Sequence, residues 1–258
     1  MIFNSKNNVK TIEFTPMHPI ATVYPPMPIK KFVPEWYKQM EMQTPMNGMH
    51  DKENLSKRKT IKKCVPVLDY MTSGYAIRNL GDISISRRVE FSQEKLSIYS
   101  HLDSEEKLPT ISDHSFGQFP LMLNGIQKNV MKFNNFYRIK TPPGYSCLFY
   151  QPYYMMETRF TILPAIVDTD DFNLPVSFPF YVNATSTEEF SFDIDAGTPL
   201  VCVMPFKRDD WKMKFNEGDY SRDMNGMQTQ VPSKLELKFL TLMSEAYKRI
   251  FHKKKSFN

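Results

Sequence analysis

The acidic cluster with a mechanism to offer is AIVDTDDF, where Asp168, Asp170 and Asp171 fall within four residues. Side chains alternate faces along a strand, so in an extended segment Asp168 and Asp170 point the same way and can share a metal ion, or one of them can act as general base. The competing and leading reading is a polar turn between the apolar runs ILPAIV and PVSFPFYV, because Asp and Asn side chains favour turn geometry. Other chemistries have less behind them. His18, His50, His101, His114 and His252 form no HxH or HxxxH pair, so the spacing offers no zinc or non-haem iron site. Gly-rich phosphate loops, a GxSxG elbow and a Walker A signature are missing from the sequence. Cys64, Cys147 and Cys202 are odd in number and contain no CxxC pair, which points to free thiols and a reducing compartment. Cys147 and Cys202 lie in apolar strand patterns, where Cys behaves as a small buried hydrophobe. The expectation is no cofactor, no metal and no catalytic set; if the chain is an enzyme, Asp168 and Asp170 carry the chemistry.

These carboxylates sit inside the stretch that holds most of the apolar density. From Thr141 to Phe206 it reads as four or five short strands with turn residues between them, and Ile162, Ile166, Val176, Phe178, Leu200 and Val203 are expected to share one core. A chain of 258 residues with 41% hydrophobic side chains can cover a large core, and 14% aromatics with 19 prolines and only 9 glycines favour strands joined by stiff connections. The expected fold is mainly β: a β-clip-like or sandwich body over 61–210, an extended N-terminal arm over 1–60, and over 211–258 a loop followed by one C-terminal amphipathic helix with a basic tail.

In the arm, prolines at 16, 19, 25, 26, 28 and 34 exclude a central strand or a continuous helix. Pro34 suits the first turn of a short helix from Glu35 to Met40, whose Trp36 and Tyr37 would pin the arm to the body. Beyond Cys64, VPVLDYM reads as a strand, followed by a turn at Thr72 to Gly74 and a second strand. GDISISRRVEF and EKLSIYSHL alternate like the strands of a half-buried antiparallel sheet. SHLDSEEKLPTISD reads as an exposed loop and NVMKFNNFYRIKT as one strand. Trp211 and Phe215 would anchor the polar loop after Phe206. Ser233 and Glu236 form a capping box, and Leu235, Phe239, Leu242, Met243, Ala246 and Ile250 then fall on one helical face that wants a protein partner.

Charge is divided along the chain. Residues 1–63 carry 11 Lys/Arg against 5 Asp/Glu, 64–232 carry 15 against 21, and 233–258 carry 7 against 2. An acidic body with two basic ends can engage a protein surface, its own neighbour included, and the runs Lys52 to Lys63 and Lys248 to Lys255 make nucleic acid a further candidate. No apolar h-region opens the chain and no run of eighteen apolar residues occurs, so neither a signal peptide nor a membrane partner is expected.

The order of GYAI (74–77), PPGYSCL (142–148), AIVDTDDF (165–172) and FDIDAGTPLVCVMPF (192–206) resembles the motif order of the trimeric dUTP pyrophosphatases and dCTP deaminases, which share the β-clip fold. The resemblance implies that Asp168 matches the family's catalytic carboxylate. It also exposes departures: Ala76 stands where the first motif has its acid, no arginine precedes Ser146, Asp171 replaces a tyrosine, and no Gly-rich tail is present. PEWYKQM, SFGQFP, ILPAIVDTDDF and FPFYVN, with the pieces above, resemble over roughly 20–210 an uncharacterised family of bacteriophage and bacterial genomes, which supplies context and no active site. The leading expectation is therefore a non-enzymatic phage-type structural or assembly protein of the virion or host cytoplasm, acting through protein contacts of its arms. The alternative is a nucleotide-binding or nucleotide-hydrolysing β-clip protein.

Overall fold

The computed structural model describes residues 9–44, 58–90, 93–114, 122–123, 126–127, 130–184, 189–215, 248 and 252–258. The chain divides into two compact units, one of residues 1–40, 70–208 and 257–258, the other of 41–69 and 209–256. The first unit is mainly β. Its elements in chain order are β1 (Glu13–Pro16), β2 (Met27–Pro28), α1 (Glu35–Gln39), β3 (Tyr75–Arg78), β4 (Ile83–Glu90), β5 (Gln93–Ser100), α2 (His101–Glu105), β6 (Ile111–Asp113), β7 (Met131–Phe133), β8 (Tyr137–Lys140), β9 (Tyr145–Tyr150), β10 (Phe160–Ile162), β11 (Ala165–Val167), β12 (Phe178–Val182), β13 (Phe190–Ile194) and β14 (Pro199–Lys207). All pairings are antiparallel: a five-stranded sheet β11-β9-β14-β3-β2, a four-stranded sheet β10-β12-β7-β6, a three-stranded sheet β13-β4-β5, the pair β1-β8, and a short pair of Met122–Leu123 with Ile126–Gln127.

The five-stranded sheet carries the site. Its centre is the β9/β14 ladder, in register from Tyr145 opposite Lys207 to Tyr150 opposite Cys202. Alternation sends Cys147, Phe149, Val201 and Val203 into the main core and leaves Tyr150 and Cys202 in a smaller cluster with Ile29 and Ala76 on the other face. Phe133, Phe160, Phe178 and Phe180 of the four-stranded sheet join the main core, with Phe133 and Phe180 stacked at 3.9 Å between centroids. Ile83 and Ile85 are buried from β4, as their alternation predicts.

The proline-rich segment is tied down by backbone acceptors. The buried Tyr137 hydroxyl donates to the carbonyls of Ala21 and Tyr24, and burial pushes its phenol up to about 12. β1 and β2 are short and end in proline, which suits edge positions where no ladder donor is needed. The short helix expected after Pro34 forms as α1, with Tyr37 buried and Trp36 Nε1 donating to the Tyr154 carbonyl at 3.0 Å.

Several local readings are corrected. Val65–Thr72 is an α-helix and not a strand: Pro66 falls in its first turn, where a missing N–H costs nothing, and the chain reverses at Gly74. Gly74 has φ +97°, and a Cβ there would lie 2.6 Å from the Val203 carbonyl oxygen, so only glycine fits. The 101–113 loop contains α2 and β6. The single strand read over 129–141 is two, β7 and β8, interrupted where the Asn135 side chain bonds the Tyr137 backbone through both its amide nitrogen and its oxygen. Ile166, expected in the core with Ile162, Val176, Phe178, Leu200 and Val203, is 63% exposed, because it lies on the edge strand β11 and on the face turned from the core. In the second unit Trp211 and Phe215, expected as anchors, are exposed at 90% and 74%, in a segment without regular structure. The helix expected from Ser233, with its Leu235, Phe239, Leu242, Met243, Ala246 and Ile250 face, lies outside the described residues.

Core and edge make opposite forecasts. Phe180→Ala removes a side chain with no exposure and should cost about 3–5 kcal/mol in urea unfolding. Ile166→Ala should stay within about 0.5 kcal/mol of the parent. Similar losses at both positions would contradict the assignment of the two faces.

Candidate functional site

The site is built at the corner where β9 starts and β14 ends. Pro142-Pro143-Gly144-Tyr145 makes the entry: the Tyr145 N–H donates to the Pro142 carbonyl at 3.2 Å and Gly144 takes φ +80°, the geometry of a type II turn with proline first and glycine second. The turn aims the Gly144 N–H at Asp170 Oδ2, 2.8 Å away, and starts β9 so that Ser146 is fully buried beneath the corner. On the neighbouring edge, β11 ends at Val167 and the chain turns at once. The N–H groups of Asp171 and Phe172 both donate to the Asp168 carbonyl, at 3.2 and 2.9 Å. The turn reading of AIVDTDDF is therefore the right local description.

That turn nevertheless brings the two carboxylates onto one cation. Arg208 follows β14 directly. Its Nη1 lies 2.7 Å from Asp170 Oδ1, its Nη2 bonds Asp170 Oδ2, and Nη1 also reaches Ser146 Oγ at 3.1 Å and Asp168 Oδ1 at 3.2 Å. The Ser146 hydroxyl donates to Asp168 Oδ1 at 2.6 Å. Asp170 is thus the bidentate anchor of the guanidinium, and Asp168 borders it from the outside. The bond from Arg208, with the Gly144 N–H beside it, lowers the Asp170 carboxyl from 3.8 to about 2, and Asp170 in turn raises Arg208. Beneath the corner, Thr141 and Thr169 share a hydroxyl bond of 2.8 Å, and Thr169 donates to Cys147 Sγ at 3.2 Å. Burial pushes the Cys147 and Cys202 thiols up to about 11, which agrees with their reading as buried packing groups.

The chemistry open to this arrangement follows from exposure. The Asp168 side chain is 65% exposed, and its Oδ2 makes no hydrogen bond among the described residues, so a carboxylate lone pair faces water next to a guanidinium and a hydroxyl. That combination can accept a proton from a water held beside an anionic group. Asp168 and Asp170 do not share a metal position here: their common partner is Arg208. Among the described residues no three His, Cys, Asp or Glu side chains gather as a metal-holding group. Sequence spacing gave no sign of Arg208, which is 38 residues from its carboxylate partner and is brought there by the β9/β14 register alone.

A second titratable cluster lies in the other unit. His252 Nε2 sits 3.0 and 3.1 Å from the two oxygens of Asp69, and Lys255 Nζ lies 2.5 Å from Oδ2. Asp69 is partly desolvated, yet the bonds from Lys255 and His252 win and lower its pKa. No helix among the described residues is long and apolar enough to cross a membrane.

Neither a protein-family model nor a curated protein sequence matches the chain. Solved structures do. The dUTPase of Staphylococcus bacteriophage 80alpha, as a point mutant with dUpNHpp, aligns over 81% of this chain and 90% of its own at 9% identity and a TM-score of 0.34. The dUTPase from phage phi11 of S. aureus aligns over 82% and 99% at 10% identity and a TM-score of 0.35. A further 80alpha dUTPase structure covers 81% and 97% at 10% and 0.35. The distant dUTP pyrophosphatase likeness read from PPGYSCL and AIVDTDDF agrees with these neighbours. They also correct the leading expectation of a non-enzymatic structural or assembly protein: these neighbours are dUTPases, the class of its alternative.

Asp170 gives the corner a pH signature. Its pKa is lower folded than unfolded, so the stability it contributes is complete above 3.8 and is lost as pH falls toward about 2. Asp170→Asn should flatten the acid-unfolding curve in that window. A curve that keeps the parent's slope there would show that Arg208 does not hold the carboxylate in solution.

Proposed function

We propose that this protein binds a nucleoside triphosphate at the Ser146/Asp168/Arg208 corner and hydrolyses it. The observation that supports this reading is an exposed Asp168 carboxylate hydrogen-bonded to the Ser146 hydroxyl and flanked at 3.2 Å by a guanidinium that Asp170 holds in place. The position of Asp168 within IVDTD also matches the carboxylate of the resembled dUTP pyrophosphatases. Such an activity belongs with the nucleotide pool of the host cytoplasm.

In the proposed step, Asp168 takes a proton from a water molecule whose oxygen forms a bond to phosphorus. The bridging P–O bond breaks and pyrophosphate leaves with the electron pair. Arg208 balances charge on the phosphate oxygens, and its orientation is set by the two-point contact with Asp170, a geometry that a lysine could not supply. Ser146 fixes which Asp168 oxygen faces inward, so the other faces the water. The substrate enters as its magnesium complex, with the metal carried by the phosphates.

The test is pyrophosphate release from each of the deoxynucleoside triphosphates with magnesium. Asp168→Asn should lower the rate roughly 100-fold or more, the range for losing a general base, while leaving the melting temperature unchanged because the side chain is exposed. Absence of release from every nucleotide, or release that survives Asp168→Asn, would refute the reading.

A further inference from the structure

Away from the corner, the three-stranded sheet ends in β5, a strand of eight residues. It pairs with β4 over its whole length and without a register shift, from Gln93 opposite Glu90 to Ser100 opposite Ile83. The other strands that end a described sheet run two to five residues, and β1 and β2 close on proline. Shortness and proline keep a sheet edge from adding a further strand. β5 has neither: its centre, Leu96-Ser97-Ile98-Tyr99, carries no proline, no charge and no bulge, and Leu96, Ser97 and Tyr99 are exposed.

The ladder fixes which backbone groups face outward. The His101 N–H donates to the Asp82 carbonyl at 3.3 Å, and this pair continues the β4/β5 register. Hydrogen-bonded and non-hydrogen-bonded pairs alternate along an antiparallel ladder, so Lys95, Ser97 and Tyr99 turn their N–H and C=O groups to β4. Glu94, Leu96 and Ile98 turn theirs to the open side, as Ser100 does its N–H. Among the described residues these outward groups have no backbone partner.

The row is complementary to itself. When two β5 strands run antiparallel about a two-fold axis at Ser97, Leu96 of each copy stands opposite Ile98 of the other, and Glu94 opposite Ser100. Every outward position then meets an outward position, N–H to C=O, whereas an axis at Leu96 or Ile98 leaves one end of the row unmatched. Side chains follow. Leu96 and Ile98 lie on the face that holds the buried Ile83 and Ile85, so their cross-pairs extend an apolar surface. On the other face Ser97 meets Ser97 and Lys95 stands opposite Tyr99, so no like charges oppose each other. We infer that β5 is a dimerisation edge, at which two copies of this chain join their three-stranded sheets into one continuous antiparallel sheet. The inference does not depend on the nucleotide reading of the corner. A contact of one strand on one strand is at the low end of interface size, and the dimer is a weak one, with a Kd of roughly 1–100 μM.

The experiment is sedimentation equilibrium of the full chain from about 1 to 300 μM, where the mean mass should rise toward twice that of the monomer. Ser97 is exposed, so a charge there spares the fold. Ser97→Lys and Ser97→Glu each place like charges on the axis and should each weaken association roughly tenfold or more, while mixing the two variants should restore dimers. Leu96→Pro removes an outward donor, keeps every bond to β4 and should leave monomers. Oxidised Ser97→Cys should cross-link two copies above the parent's background from the exposed Cys64, because residues facing each other at a non-hydrogen-bonded position lie about 4.5 Å apart between Cα atoms, within disulfide reach. Tyr99→Cys, which faces Lys95, should cross-link no more than the parent. A parent that stays monomeric at the highest concentration overturns the inference, as does an assembly that Ser97→Lys and Leu96→Pro leave intact. Cross-linking through Tyr99→Cys in preference to Ser97→Cys overturns the register and the inference with it.

Discussion

The structure depends on the ladder between β9 and β14. Six consecutive residues of β9 pair without a break against β14, and both strands are interior to the sheet, so neither can slip by one residue without exchanging the faces of every side chain. That register does two jobs. It sends Cys147, Phe149, Val201 and Val203 into a core shared with the phenylalanines of the four-stranded sheet. It also carries Arg208, one step past the last pair, back over Gly144 and Ser146, where the Arg208 N–H donates to the Gly144 carbonyl at 2.9 Å. Packing fixes the register on one face, and the other face inherits a cation in a defined place.

Asp170 then decides what that cation can do. A guanidinium on a strand end open to water would sample many rotamers, whereas one held at two points by a carboxylate presents its remaining donors in a fixed plane. The cost is partial neutralisation, which the corner offsets by leaving Asp170 inward and Asp168 outward. Two acids two residues apart therefore have different work. Asp170 is held by Arg208 and the Gly144 N–H as a structural anion, and Asp168 keeps one oxygen for solvent. The separation comes from a turn: in a strand the pair would have pointed the same way as equals.

How far the sequence could reveal this depends on the range of the interactions. Signals carried by neighbouring residues were legible: PPG as a turn, the alternation of Ile83 and Ile85, proline-ended edge strands, the short helix after Pro34, and the Asp-rich turn after IVD. Readings failed where tertiary context overrode a local pattern. VPVLDYM has a strand's composition and forms a helix, and Ile166 has a core residue's chemistry on an edge strand's outer face. Arg208 could not have been found locally, since nothing in PFKRDD distinguishes it from a solvated charge. It becomes a site residue only through pairing across more than fifty positions of chain.

The departures from the resembled enzymes also acquire physical meaning. Ala76, which stands where the first motif has its acid, has no exposure and packs with Ile29 and Cys202 opposite Met27. An acidic side chain at that position would be buried among apolar groups and would hold its proton or unfold the edge of the sheet. In the proposed hydrolysis no carboxylate could come from this strand, and proton transfer would fall to Asp168. The arginine missing before Ser146 is a different case. Arg208 reaches the same serine from the end of the paired strand, so a cation absent from the local sequence is supplied by the register, and the corner brings a serine, a cation and a carboxylate together.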